Sequence, residues 1–313
     1  MTKTKSIILS ALMLLSSASA VLAQEFESAT SAVANMRLGW NLGNTLDSNS
    51  GSTTNMWIER WSSRNPSDYE TAWGQPVTTE KLIKMFKQEG FNAIRVPVTW
   101  YPHMGVQTNG LNWDLPNWKP TQVNAAWMKR VKEIVDYVIK NDMYCIINVH
   151  HDTGSETTGW IRASMDNYNK YKETFEDLWK QIATEFKDYD QHLLFEGYNE
   201  MLDMNNTWNA PSTGNGAYNA VNSYAQAFVD TVRATGGNNA QRNLIVNTYV
   251  GSYDSNVLSN FVVPNDSATN HLALQVHVYA PWGFTGTNAT VNWTPVHNDF
   301  GDADKSEIDG VMN

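Results

Sequence analysis

Short apolar segments alternate with longer amphipathic segments along most of the chain. Six of the short segments are apolar without strict alternation, which is typical of strands buried on both faces of a parallel sheet. The predicted strands cover residues 38–43, 93–98, 144–149, 193–198, 244–248 and 272–278.

Helical periodicity fills the segments between these strands. Apolar residues recur on one face between Trp127 and Val138, for example. After the fifth strand, a helix over 256–263 is doubtful because Pro264 closes it. A strand followed by a helix, repeated, implies parallel strands joined by right-handed crossovers. The other predicted helices lie around 80–86, 171–186 and 221–232.

Two α/β architectures fit this order, a doubly wound open sheet and an eight-stranded barrel. A nucleotide-binding open sheet usually carries a glycine-rich turn after its first strand. Residues 41–45 instead read Asn-Leu-Gly-Asn-Thr, without GxGxxG or a P-loop. Polar residues recur at the carboxyl ends of successive strands, as on the active face of a barrel. We therefore predict a (β/α)8 TIM barrel.

Residues 193–200 read LLFEGYNE, an apolar run that ends on Asn199 and Glu200. A carboxyl group at the end of a buried strand sits where a pocket can form and where its pKa can rise. Such a group can protonate a leaving group near neutral pH. The alternative is a strand-end glutamate in a surface ion pair. The other strand ends favour the pocket, because their polar residues would converge on one rim: 41–44, Arg95, 150–152, His277 and Tyr279.

The basic residues of this set need partners. Arg95 lies inside a strand, where an unpaired guanidinium is costly, so it requires a carboxylate. His150 and His151 are adjacent and point to opposite faces in a regular strand, so they cannot bind one metal ion together. Zinc sites usually use other spacings, and no cysteine ligand is available. We therefore predict no metal site, with His150 facing the pocket. His277 has a hydrogen-bonded core position as its alternative.

Composition narrows the range of partners. The 313 residues include 22 Lys and Arg against 32 Asp and Glu, a formal charge of −10, which argues against nucleic acid and anionic membranes. The single cysteine, Cys145, lies in an apolar run, so we expect a buried side chain rather than a catalytic thiol. Many Trp and Tyr residues lie in polar loops, where they can stack on sugar rings or simply pin the loop.

The first 23 residues have the pattern of a secretory signal peptide. Lys3 and Lys5 form a basic start, residues 7–15 form an apolar core, and small residues allow cleavage after Ala20 or Ala23. The apolar stretch is too short to span a bilayer stably. We therefore expect a secreted protein, extracellular or periplasmic, with one large α/β domain over residues 24–313.

Together the motifs resemble an endoglucanase of glycoside hydrolase family 5, and most of all its subfamily 4, which contains cellulases, xyloglucanases and mixed-linkage glucanases. The resemblance implies a (β/α)8 barrel and a retaining endo-β-1,4-glucanase that needs no cofactor or metal. The motifs occur in the family's order: LGWNLGNT at 38–45, TAWG at 71–74, AIRVPVTW at 93–100, INVHHD at 147–152, FEGYNE at 195–200 and VHVY at 276–279.

The resemblance implies a role for each matching residue. Glu200 corresponds to the general acid/base, Asn199 would hydrogen-bond a sugar 2-hydroxyl, and Arg95 would support the carboxylate nucleophile. The reaction is a double displacement between two carboxyl groups about 5–5.5 Å apart. The expected ligand is a β-glucan polysaccharide, and the expected state is a monomer. The other implied substrate-binding residues are Asn44, His150, His151, His277, Tyr279 and Trp282.

The chain departs from the family pattern after Trp282. The family's nucleophile is a glutamate at the end of a seventh strand, whereas the only glutamate here is Glu307, in a segment that reads as a helix. We therefore expect a C-terminally incomplete barrel, with about six of eight βα units, exposed strand edges and little hydrolytic activity. The alternatives are a mannanase or xylanase on the same fold, and a non-catalytic carbohydrate-binding barrel.

Overall fold

A parallel sheet of six strands forms the centre of the computed structural model, which describes residues 25–106, 112–285, 287–288, 294–295 and 300–312. The predicted signal peptide, residues 1–23, lies outside the described residues. The strands are β1 (Gly39–Asn41), β2 (Ala93–Val96), β3 (Tyr144–Asn148), β4 (Leu193–Glu196), β5 (Leu244–Asn247) and β6 (Leu272–Gln275), followed by a short antiparallel pair, β7 (Thr287–Asn288) and β8 (Thr294–Pro295).

Helices follow or precede each strand of the sheet. No helix in the described part of the chain is long and apolar enough to cross a membrane. The helices are α1 (Ala29–Asn35), α2 (Trp57–Trp61), α3 (Pro66–Glu70), α4 (Glu80–Gln88), α5 (Ala125–Lys140), α6 (Met165–Glu185), α7 (Ala217–Ala234), α8 (Ser255–Asn260), α9 (Trp282–Thr285) and α10 (Asp302–Met312).

The six strands pair in chain order, each parallel to the next. A doubly wound sheet reverses its strand order near the centre, so the open-sheet alternative is excluded and the order is that of a barrel wall. All six predicted strands are present, but each ends earlier than predicted because its last residues enter loops at the rim. The doubtful helix is α8, which begins after the N-cap Asp254.

The main hydrophobic core lies between the outer face of the sheet and the helices. Ile94 and Cys145 are fully buried there, which confirms the expectation for the single cysteine. Strand alternation turns the intervening side chains inward. Near the amino ends of the strands, these inward residues pack with Ala32 of α1 and close that end of the interior: Ala93, Tyr144, Leu194 and Ile245.

Toward the carboxyl ends of the strands, the inward-facing position becomes polar on all six strands. These residues lie side by side in the sheet, because they pair in register as Asn41 with Arg95, Asn148 with Glu196, and Asn247 with Gln275. Three residues of this set, Asn148, Glu196 and Asn247, are fully buried, and buried polar side chains are stable only when they are hydrogen-bonded. We call these six residues the inner polar layer.

Gly197 leaves no room for a side chain where β4 meets α7. A Cβ at this position would lie 2.8 Å from Cδ1 of Phe228, which is buried against Trp179. We expect Gly197→Ala to overpack this contact and to lower the free energy of unfolding by about 1–3 kcal/mol, measured by urea denaturation. Gly214→Ala is the control, because a Cβ there meets nothing within 4 Å. Equal stability of the two variants would contradict this packing.

Candidate active site

The side chains of Glu200 and His277 are in contact at the carboxyl ends of the strands. Glu200 follows β4, His277 follows β6, and Oε1 of Glu200 lies 2.7 Å from Nδ1 of His277. The other ring nitrogen, Nε2, lies 3.1 Å from Nε2 of Gln275, which is a donor. His277 therefore accepts from Gln275 and donates its Nδ1–H to Glu200. The core alternative for His277 is excluded, because its partner is the carboxyl group of the predicted site.

Gly251 sets the position of the His277 ring. The His277 backbone N–H donates to the carbonyl oxygen of Gly251 at 2.7 Å. A Cβ at Gly251 would lie 2.9 Å from Cγ of His277, and φ at Gly251 is +67°. The close approach therefore requires glycine here, and it holds the ring beside Glu200.

A cavity of about 520 Å³ opens above Glu200 and His277. Two of the predicted residues, Tyr279 and Trp282, line it with more than half of their surface exposed and with their rings edge to face at 5.9 Å. Glu200 is the only carboxylate among the described residues that line this cavity. The other lining residues are Trp208, Val250, Ser252 and Tyr253.

A buried ion pair lies next to this cavity, in the inner polar layer. Arg95 donates from Nε and Nη2 to the two carboxylate oxygens of Glu196, both at 2.7 Å. Glu196 has no exposed surface. Burial alone would raise the pKa of Glu196, but the charge and hydrogen bonds of Arg95 outweigh it and hold that pKa below its usual range. The carboxylate partner that the sequence required for Arg95 is therefore Glu196.

Arg95 also orients Asn199. Nη2 of Arg95 donates to Oδ1 of Asn199 at 2.9 Å, and Nη1 donates to Oδ1 of Asn41 at 2.9 Å. An amide flip at Asn199 would place its NH2 group against the guanidinium. Asn199 is therefore held with its Nδ2 donor directed away from Arg95.

Asn148 fixes the proton on His150. Oδ1 of Asn148 accepts the backbone N–H of Val98 at 3.2 Å. The amide nitrogen of Asn148 donates to Oε1 of Glu196 at 3.1 Å and lies 3.0 Å from Nδ1 of His150. Nδ1 must therefore accept, and the ring proton sits on Nε2. Burial lowers the pKa of His150 well below its ordinary value, so the ring is neutral at pH 7.

Asp47, His150 and His151 form a possible metal-binding cluster, with candidate ligand atoms all within 4.8 Å of one another. Both histidines follow the end of β3, so the expectation that they point to opposite faces does not apply; their rings lie 4.7 Å apart. The Nε2–H tautomer of His150 is the observation that argues against a bound metal ion. A metal on Nε2 of His150 would move the proton to Nδ1, against the NH2 group of Asn148. The donor set therefore does not fit a metal.

Other predicted residues lie farther from this network. The Asn44 side chain is exposed on the loop after β1, and it is Asn41 that contacts Arg95. Nε2 of His151 lies 3.9 Å from Oδ2 of Asp47, and the His151 ring packs edge to face against Trp73. Sequence reasoning missed the inner-layer residues Glu196, Asn148 and Asn247, although period-two alternation within the strands marks them as inward-facing. It also left Tyr253 unassigned.

Comparison with known proteins places this chain in a family. The family model for cellulase (glycosyl hydrolase family 5) matches residues 51–312. Endoglucanase B of Neocallimastix patriciarum is 37% identical over 285 residues, which cover 90% of this chain and 53% of that protein. The chain spans about half the length of the curated endoglucanases that it matches in this way.

Solved structures agree with this assignment. A family 5 enzyme from Prevotella bryantii B14, in complex with a xyloglucan tetradecasaccharide, aligns at 52% identity with a TM-score of 0.73, over 83% of this chain and 68% of that chain. A GH5-4 broad-specificity endoglucanase from Ruminococcus champanellensis with bound cellotriose aligns at 38% identity with a TM-score of 0.76, over 92% of this chain and 75% of that chain. The chain belongs to glycoside hydrolase family 5. Its barrel fold and its resemblance to subfamily 4 are confirmed.

The buried ion pair predicts how stability depends on acid. The folded-state pKa of Glu196 is below its unfolded value, so the pair stabilises the fold above about pH 4.3 and this contribution is lost as the pH falls through the folded pKa. Glu196→Gln should cost about 3–5 kcal/mol at pH 7 and lose less on acidification than the parent, in urea unfolding at pH 7, 5 and 3.5. Lys84 also lowers the pKa of Glu80, but this pair is exposed and screened by solvent, so Glu80→Gln should change the acid dependence of stability far less than Glu196→Gln does. A Glu196→Gln variant with the parent's pH dependence would refute the ion-pair assignment.

Proposed function

We propose that this chain carries the sugar-binding groove and the acid/base carboxyl group of a secreted retaining endo-β-1,4-glucanase. The pairing of Glu200 with His277 on an aromatic-lined cavity, at the carboxyl ends of β4 and β6, is the observation that carries the proposal. Barrels of this class hold their active sites on this face. Secretion rests on the signal-peptide pattern of residues 1–23.

Glu200 would act twice in a double displacement. First, a carboxylate attacks the anomeric carbon while Glu200 gives its proton to the departing glycosidic oxygen. Glu200 then takes a proton from water, whose oxygen replaces the enzyme carboxylate on the anomeric carbon. His277 donates to Oε1 of Glu200 and so leaves Oε2 for the glycosidic oxygen.

The attacking carboxylate is not supplied by the described residues that line the cavity, among which Glu200 is the only acid. Glu196 cannot attack, because it is fully buried and both of its oxygens are bound by Arg95. Glu307 lies on α10, as predicted, and accepts the backbone N–H of Trp282 at 3.0 Å. We therefore expect the 313-residue chain alone to hydrolyse glucan slowly.

A neutral β-1,4-glucan, with or without side chains, suits the groove. Trp208, Tyr253, Tyr279 and Trp282 offer exposed rings on which sugar C–H faces can stack. Two family 5 structures hold such ligands, a xyloglucan oligosaccharide in one and cellotriose in the other. The runner-up substrate is mannan or xylan, and chromogenic polysaccharides of each type distinguish them.

Glu200→Gln separates acid catalysis from binding. Azide in solution can replace the attacking carboxylate, so the parent chain should convert aryl β-cellobiosides to α-cellobiosyl azide. With a poor leaving group, which needs protonation, Glu200→Gln should lower this rate at least about 100-fold. With a dinitrophenyl leaving group the rate should change little, and the affinity for cellotetraose, measured by calorimetry, should be kept.

Two results would contradict this assignment. If the rate fell equally for good and poor leaving groups, Glu200 would not be the general acid. Binding of cellotetraose by parent and variant, without any azide product, would favour a non-catalytic carbohydrate-binding barrel.

Gly251→Ala tests whether His277 must hold Glu200 in place. The added Cβ would push the His277 ring away, so azide transfer from a poor leaving group should fall about tenfold or more, with little change for the dinitrophenyl substrate. Gly74→Ala is the matched control, because φ is +88° there and a Cβ meets nothing within 4 Å. Similar rates in the two variants would show that the His277 contact is dispensable.

A further inference from the structure

We propose that Glu196 is a positioning residue that sets the direction of hydrogen bonding in the groove. Through Arg95 it holds Asn199 so that the Nδ2 donor is presented, and through Asn148 it holds His150 as the Nε2–H tautomer. The catalytic meaning of this inference rests on the proposed function, whereas the state of both side chains is measurable without any substrate.

The first branch depends on the rigid plane of the guanidinium. The bidentate contact with Glu196 engages Nε and one hydrogen of Nη2 on Arg95. The other hydrogen of Nη2 then lies in the same plane and points to Oδ1 of Asn199, 2.9 Å away. Without the carboxylate, the plane of Arg95 is free to turn, and the amide of Asn199 loses the contact that prevents its flip.

The second branch depends on the two hydrogens of one amide. Asn148 has its oxygen engaged by Val98 N–H, so both hydrogens of Nδ2 are directed to Glu196 and to Nδ1 of His150. Each contact therefore requires an acceptor opposite it. Glu196 can only accept when it is ionised, so together with the Val98 N–H it holds the amide of Asn148 in this rotation, and the amide in turn fixes the tautomer of His150.

Asn247 and Arg95 also require Glu196 to act as a hydrogen-bond acceptor. Asn247 Nδ2 donates to Oε1 of Glu196 at 3.2 Å, so this single oxygen faces donors from three different side chains. A glutamine in place of Glu196 would carry no negative charge, and its NH2 group would face a donor where a carboxylate oxygen now accepts. The buried site therefore offers such a glutamine no arrangement that satisfies every donor.

The consequence is a groove floor that offers donors to sugar oxygens. The Nδ2–H of Asn199 and the Nε2–H of His150 both suit hydroxyl oxygens of a bound glucan. Hydrogen bonds to the 2-hydroxyl strengthen in the transition state of glycoside cleavage. Misplaced donors should therefore weaken sugar recognition at this position even when the fold is intact.

The direct test is nitrogen NMR of the ¹⁵N-histidine-labelled chain. In the parent, His150 should show a proton on Nε2 and a free lone pair on Nδ1. In Glu196→Gln, we expect a mixture of tautomers. Glu70→Gln is the matched control: Glu70 is also fully buried and bound through both oxygens to an arginine, Arg130, but that pair joins α3 to α5 outside the barrel. It should leave His150 unchanged.

Sugar binding supplies the second readout. By calorimetry, Glu196→Gln should bind cellotetraose at least about tenfold more weakly than the parent, whereas Glu70→Gln should match the parent. If Glu196→Gln does not fold, Asn148→Asp serves instead, because an aspartate facing Nδ1 of His150 should move the ring proton to Nδ1.

The outcomes separate the two proposals. An unchanged His150 tautomer in a folded Glu196→Gln or Asn148→Asp variant would overturn the positioning role, whatever the sugar data show. A changed tautomer in a chain whose parent binds no glucan would support the positioning role and overturn the proposed function.

Discussion

One buried ion pair, between Arg95 and Glu196, determines the arrangement of the groove. A carboxylate without exposed surface is stable only if its charge and its lone pairs are matched, and here Arg95, Asn148 and Asn247 supply the donors. Arg95 and Asn148 also have second partners, Asn199 and His150. The electrostatic requirement of one buried group therefore fixes the orientation of both of these side chains.

The barrel interior is divided along its axis. Apolar residues near the amino ends of the strands pack on α1, while the inner polar layer lies toward the carboxyl ends. Glu200 and His277 stand beyond this layer, on residues that follow the strands. The site thus has a hydrogen-bonded polar floor, and the Glu200–His277 pair is held above it by the close contact of Gly251 with the His277 ring.

The sequence predicts the sheet well because buried parallel strands are continuous apolar runs, and their chain order leaves one simple topology. It also predicts Asn199 and Glu200, which are polar next to such a run, and Arg95 and His277, which interrupt predicted strands. Glu196 and Asn148 also lie inside the runs, where only the alternation of inward and outward positions marks them as facing the interior. The faces of His150 and His151 could not be predicted from alternation, because the backbone there has already left the strand. Tyr253 comes from a loop without any period.

A crystal structure of the chain with bound cellotetraose tests the central claim most directly, that strand-end polar groups meet around Glu200 to hold a β-1,4-glucan. The account predicts a glycosidic oxygen within about 3 Å of Oε2 of Glu200 and a sugar hydroxyl on Nδ2 of Asn199. An oligosaccharide bound elsewhere, or one in this groove without contact to Glu200, would contradict it.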